Sequence, residues 1–113
     1  MNIAITFRHM EATEAVKTYA IEKVGKLQRF LKAPLKGQVT LSTQHKAHTA
    51  EVDVHSGPEH FHAHETSEDM YATIDKVLDK LERQIRTAKE LSTKKKGADR
   101  ASDHLIADES GEE

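Results

Sequence analysis

Two groups of residues in this sequence have the types and spacing to do chemistry. In ETSEDMYATIDKVLDKLERQIRTAK (residues 65–89), Lys76, Lys80 and Arg83 line up at helical pitch, and Arg86 and Lys89 continue the charge toward the helix end. A row of cations so spaced suits a polyanion, whose successive phosphates it meets one after another. Upstream, His60, His62 and His64 alternate with Phe61 and Ala63, which puts three imidazoles on the polar face of one strand, near His55, Glu51 and Asp53. Imidazoles on one face could hold Zn²⁺, Ni²⁺ or Co²⁺. They could also gain charge, and with it affinity for an anionic partner, below about pH 6.5. H-x-H-x-H on an exposed strand is equally an ordinary polar surface, so the expectation is no bound metal and no cofactor. Nothing points to catalysis. There is no cysteine nucleophile, no glycine-rich phosphate loop and no G-x-S-x-G elbow, and no small-molecule substrate is expected.

The elements that must position these groups follow from periodicity. Met70, Ile74, Val77, Leu78, Leu81 and Ile85 fall on one stripe at roughly 100° per residue, so residues 65–89 predict an amphipathic helix with its cations opposite the stripe. Thr66 with Asp69 three residues on predicts the N-cap. Asp75, Asp79 and Glu82 form an acidic edge, with Asp79–Arg83 and Glu82–Arg86 spaced for i,i+4 pairs. An earlier helix is predicted from an N-cap at Thr13 to about Leu31, with Val16, Ala20, Val24, Leu27 and Leu31 at helical spacing. Gly25 weakens that helix by about 1 kcal/mol relative to Ala. Lys23 falls inside its apolar arc and must snorkel or find a partner.

Alternation predicts four strands: residues 2–7 with Ile3, Ile5 and Phe7 inward, 38–45, 49–55 and 60–65. The last three should form an antiparallel meander, and the helix-containing first connection makes strands one and two parallel. The fold class is α+β, in the order β-α-β-β-β-α, with both helices on one face of a four-stranded sheet.

With 113 residues the chain supports one domain with one core, and 4% aromatic residues make that core aliphatic. No apolar run approaches bilayer length and the N-terminus lacks a secretory pattern, so no membrane association and a cytoplasmic location are expected. The net charge of −2 hides an asymmetry. Residues 97–113 hold six acidic residues against Arg100, leaving residues 1–96 with a charge of +3. Residues 1–91 are read as the folded domain and 92–113 as a disordered charged tail, acidic at its end.

At EDMYATIDKVLDKLERQ (residues 68–84) the chain resembles the hibernation-promoting factor and ribosome-associated inhibitor family. The likeness extends to NIAITF, EKVGKLQRF (residues 22–30), and the strand pair around AEVDVH and FHAHE. The resemblance implies a double-stranded-RNA-binding-like fold. It also implies binding of the small ribosomal subunit and intact ribosome, over the tRNA and mRNA positions, which silences ribosomes in stationary phase or stress without catalysis. Matched position by position, the family's rRNA-facing cations are Lys23, Lys26 and Arg29 on the first helix and Lys80, Arg83 and Lys89 on the second. Lys76 and Arg86 join them on helical geometry alone. Long members of the family add a dimerisation domain for which there is no room here, and the acidic tail resembles the ribosome-associated-inhibitor subtype. The free protein is expected to be a monomer. The alternatives are a non-ribosomal RNA-binding module and a metal-binding domain using the histidine strand.

Overall fold

In the computed structural model, residues 1–90 are described; the tail expected over 92–113 lies outside them. Strand β1 (Asn2–Arg8) leads into helix α1 (Glu14–Gly25), a 3₁₀ segment (Lys26–Phe30), strands β2 (Leu35–Gln44), β3 (Ala47–Ser56) and β4 (Glu59–Ser67), and helix α2 over residues 70–90. The sheet runs β1-β2-β3-β4. β1 lies parallel to β2, and the β2–β3 and β3–β4 pairs are antiparallel.

Alternation decides which face is buried. Val39, Leu41, Ala50, Val52, Val54, Phe61 and Ala63 point to the side that meets Val16, Ala20, Val24 and Leu27 from the first helical region and Met70, Ile74, Val77, Leu81 and Ile85 from α2. Both helices therefore cover one face, and the other carries polar side chains. Ile3, Ile5 and Phe7 of the edge strand are only partly buried against this core. Gly37 on β2 sits close under α1, where an added Cβ would come 3.3 Å from Val24 Cγ1.

Three boundaries differ from expectation, each for a local reason. Thr13 caps α1 as predicted, its hydroxyl accepting from the Val16 N–H at 3.2 Å. The α-helix, however, stops at Gly25, and Lys26–Phe30 tighten into 3₁₀ geometry. The Gln28 amide then does for the connection what a longer helix could not. Its Nε2 donates to the Ala33 carbonyl (2.9 Å) and its Oε1 accepts from the Leu35 N–H (2.7 Å), which turns the chain into β2.

The second correction concerns the cap of α2. Thr66 stays in β4, its hydroxyl 3.0 Å from that of Thr49 across the strand pair. Asp69 is the cap instead, its Oδ2 accepting from the Ala72 N–H at 2.9 Å. A spacing rule fits either residue; strand pairing takes Thr66 out of contention.

The third difference is strand length. β2 begins three residues before the expected Gln38, and β3 and β4 each gain residues at both ends, because the ladder continues to the tight turns. Gly57 adopts φ +60° at the β3–β4 turn, as a two-residue hairpin requires. His45, at φ 60°, takes the same role in the β2–β3 turn without glycine's freedom.

Candidate nucleic-acid interface

The eight cations singled out in the sequence do not form one sheet of charge. Lys23, Lys26 and Arg29 line one wall of a groove of about 420 Å³ between the first helical region and α2. The opposite wall is Asp75, Asp79 and Glu82, with Leu27, Phe30 and Leu78 also lining the groove. The acidic edge of α2 thus lies between the two basic rows. Burial fixes this arrangement: Val77, Leu81 and Ile85 must face the sheet, and the residues flanking them turn toward α1.

At one end of the groove Tyr19 and Lys23 converge on Asp75. The Tyr19 hydroxyl donates to Asp75 Oδ1 at 2.6 Å, and the Lys23 ammonium stands 3.7 Å from the same oxygen and 5.3 Å from the Tyr19 ring centroid. The hydrogen bond to the carboxylate, reinforced by partial burial, pushes the phenol up to about 12. Lys23 therefore finds the partner its awkward helical position demanded. Tyr71 packs edge-on to Tyr19, with centroids 5.0 Å apart.

At the other end, Arg29 and Arg86 meet at Phe30. Their guanidinium carbons lie 5.0 and 5.7 Å from its ring centroid, so one aromatic ring gathers cations from two elements. Arg86 also makes the expected i,i+4 pair with Glu82, at 3.4 Å. The parallel expectation for Asp79–Arg83 is not met: among the described residues Arg83 makes no ion pair.

Lys80 and Lys89 turn to the sheet rather than outward. The Lys80 ammonium is 2.9 Å from Glu65 Oε2 and donates to the His64 carbonyl at 3.2 Å. This hydrogen bond holds the Glu65 carboxyl below the usual carboxylate range, against the opposing effect of its partial burial. Lys89 donates to both carboxylate oxygens of Glu59, at 3.0 and 3.1 Å. Lys26, Lys76 and Arg83 are exposed, and Lys76 lies near enough to Glu65 to add to the lowering of its carboxyl.

Sequence reasoning missed Glu65, Glu59 and Phe30 as the groups that decide which cations are held. It also missed Gln84, which donates to the His62 carbonyl at 2.8 Å and so covers the outer edge of β4 beside Lys80. No local spacing links these residues. Only docking of α2 on β4 brings them together.

The histidine strand uses its nitrogens on carboxylates. His60 Nε2 and His62 Nδ1 both approach Asp53 Oδ1, at 3.1 and 2.8 Å, and His62 Nε2 faces Glu51 Oε2 at 3.5 Å. His55 stacks on His60, with centroids 4.2 Å apart. His64 stands edge-on to His62 at 6.5 Å. Among the described residues no three such side chains are arranged to hold a metal ion, so the metal-binding alternative gains no support from geometry.

A four-stranded mixed sheet with two helices on one face, and exposed cations on the outer side of those helices, defines an α+β protein with a charged helical face. Residues 3–92 match the family model described as sigma 54 modulation protein / S30EA ribosomal protein, and the chain belongs to that family. It is 32% identical over 90 residues to the ribosome hibernation promoting factor of Escherichia coli K12, covering 80% of this chain and 95% of that one. The factor of the same name from Azotobacter vinelandii is 29% identical over 106 residues, covering 94% and 99%. Among solved structures, the N-terminal domain of Thermus thermophilus Protein Y is 34% identical and superposes with a TM-score of 0.71, covering 75% of this chain and 96% of that one. A ribosomal subunit interface protein from Coxiella burnetii shares the fold at 19% identity, with a TM-score of 0.70. No helix among the described residues is long and apolar enough to cross a membrane.

Proposed function

We propose that this protein is a ribosome hibernation factor that docks its two helices on small-subunit rRNA, in the channel used by tRNA and mRNA, and silences the ribosome without catalysing a reaction. Family membership and the names of its relatives support binding to the ribosome. The observation that carries the mode of docking is the layout of charge across the helical face. Lys26 on the 3₁₀ segment, and Lys76 and Arg83 on α2, stand exposed on two outer crests, while Asp75, Asp79 and Glu82 occupy the valley between.

The groove sets three cations against three carboxylates and gives a phosphate backbone no net attraction, whereas the exposed crests attract it. RNA would therefore bridge the two helices rather than enter the groove between them. Lys23 and Arg86 are held at the valley's rim by Asp75 and Glu82, and Arg29 is placed at Phe30. Lys80 and Lys89 join such a contact by sharing or exchanging their carboxylate partners. Recognition of this kind reads backbone and shape more than base identity. With about six to eight phosphate contacts, counterion release makes affinity fall by about 10³ or more between low and moderate salt. The free protein acts as a cytoplasmic monomer with no cofactor.

The test is sedimentation with purified ribosomes through sucrose gradients at low and moderate salt. Co-migration with the small subunit and intact ribosome that weakens with salt is the expected result. Failure to co-migrate at low salt removes the functional reading and leaves the fold.

A further inference from the structure

The two faces of the sheet differ in a way the helical docking surface does not use. We propose that the uncovered face is a second RNA-binding surface, one that takes the phosphate backbone when the solution becomes mildly acidic.

Four histidines meet there through strand register. Lys36 on β2 lies opposite His55 on β3, which lies opposite His60 on β4; Asp53 lies opposite His62, and Glu51 opposite His64. Arg8 is the remaining charge on this face and sits at the far corner, paired in register with Ser42. With neutral imidazoles, the Lys36–His64 region carries one cation against two carboxylates, a net charge of −1, which repels a polyanion. Protonating His55, His60, His62 and His64 takes the same region to +3. Protonation of these four imidazoles reverses the sign of the surface.

The carboxylates are arranged to receive that charge. His62 presents one ring nitrogen to Asp53 and the other to Glu51, at 2.8 and 3.5 Å. A neutral imidazole has one N–H and can donate to only one of them; the imidazolium donates to both. Asp53 Oδ1 also receives His60 Nε2, so one carboxylate oxygen anchors two rings. Protonation thus satisfies both acids while the other three imidazoles add net positive charge. About half of the His60 side chain and 40% of that of His62 remain exposed, within reach of a ligand.

The rest of the face favours RNA over a lipid surface. Its intervening residues include Gln38, Thr40, Ser42, Thr49 and Thr66, which offer hydrogen bonds to phosphate and ribose and no apolar anchor to a bilayer. Among the described residues the exposed large hydrophobic side chains are Met1 and Tyr71, and Tyr71 is on α2.

Neither helix nor the 3₁₀ segment contains a histidine, so the acid response separates this surface from helical docking. The experiment is fluorescence anisotropy of the full chain with a labelled duplex RNA at constant ionic strength, at about pH 7.5 and about pH 5.5. Affinity is expected to rise at least about tenfold on acidification. The gain should vanish when His55, His60, His62 and His64 are replaced by Gln, with circular dichroism showing the fold retained at both pH values. It should persist when His9 and His45, in the turns at the other end of the sheet, are replaced instead. A helix variant, Lys26→Glu with Arg83→Glu, should bind less at both pH values yet keep the acid increment. That result fails separately from the helical reading, which is judged at neutral pH. An increment that survives in the fourfold variant, that is absent from the wild type, or that is matched only by phosphatidylserine vesicles and not by RNA overturns the proposal.

Discussion

The ammonium of Lys80 bridges a side chain and a strand edge: it lies 2.9 Å from Glu65 Oε2 and 3.2 Å from the His64 carbonyl oxygen. A lysine with the spacing of a phosphate ligand is also a tie between α2 and β4. With Gln84 at the neighbouring His62 carbonyl, it occupies main-chain acceptors that an edge strand would otherwise offer to another chain.

The pair makes a pH signature. The folded-state value of Glu65 lies below its ordinary 4.5, so the stability it contributes is present above about pH 4.5 and is lost as pH falls through the lowered value. Lys80→Ala is expected to lower stability by about 0.5 kcal/mol near neutrality, a small figure because both side chains are partly solvated. It should also flatten the acid limb of stability against pH. Urea unfolding midpoints collected from about pH 3 to about pH 7 check both effects. An unchanged acid limb would mean that the pair does not hold Glu65 in solution.

The crest cations and the pinned cations should separate in binding. Lys26→Glu and Arg83→Glu each remove a cation that has no carboxylate partner among the described residues. Each is expected to weaken ribosome binding about tenfold or more and to reduce the slope of log affinity against log salt by about 1 or more. Lys89→Gln removes a cation already shared with Glu59, and its loss should be smaller. Filter binding over a salt series measures these slopes. Equal losses at all three positions would refute the division into crests and ties.

Tyr19 supplies a spectroscopic test of the groove. Its phenol, raised to about 12 chiefly by the hydrogen bond to Asp75, contributes stability that is present below its ordinary value of 10.0 and is lost as pH rises through about 12. Spectrophotometric titration is expected to show a phenol ionising near 12 that disappears in Tyr19→Phe and moves back toward 10 in Asp75→Asn. A high-pH phenol that survives in Asp75→Asn would show that the carboxylate is not the cause.

Leu81 is fully buried where α2 meets the sheet. Leu81→Ala is expected to cost about 2–5 kcal/mol, through lost apolar burial and the cavity left behind. Measured by denaturant unfolding, that is a large share of the roughly 5–15 kcal/mol that small domains possess. A cost under about 1 kcal/mol would mean that α2 packs less closely than its buried stripe indicates.

The sequence by itself determined what depends on period and sign. Alternation in β1 to β4 chose which residues face inward, the Met70–Ile85 stripe chose the buried side of α2, and the histidine-free helices and histidine-bearing strands divided the polar surface into two chemistries. These are local properties, fixed once a segment is a strand or a helix. Even the unease of Lys23 in an apolar arc was legible, though its partner was not. Where two local signals competed, as at Thr66 and Asp69 or after Gly25, spacing could not choose between them. Tertiary structure decided which charges are available. Lys80 and Lys89 look like members of a basic row until β4 supplies Glu65 and Glu59, and Arg29 and Arg86 are unrelated until Phe30 stands between them. The acidic edge of α2 became one wall of a charged groove only when α1 packed beside it. Each of these pairings joins residues far apart in the chain, and no periodicity encodes such distances. They arise because burying the apolar faces of two helices against one sheet leaves only a narrow choice of where the remaining side chains end.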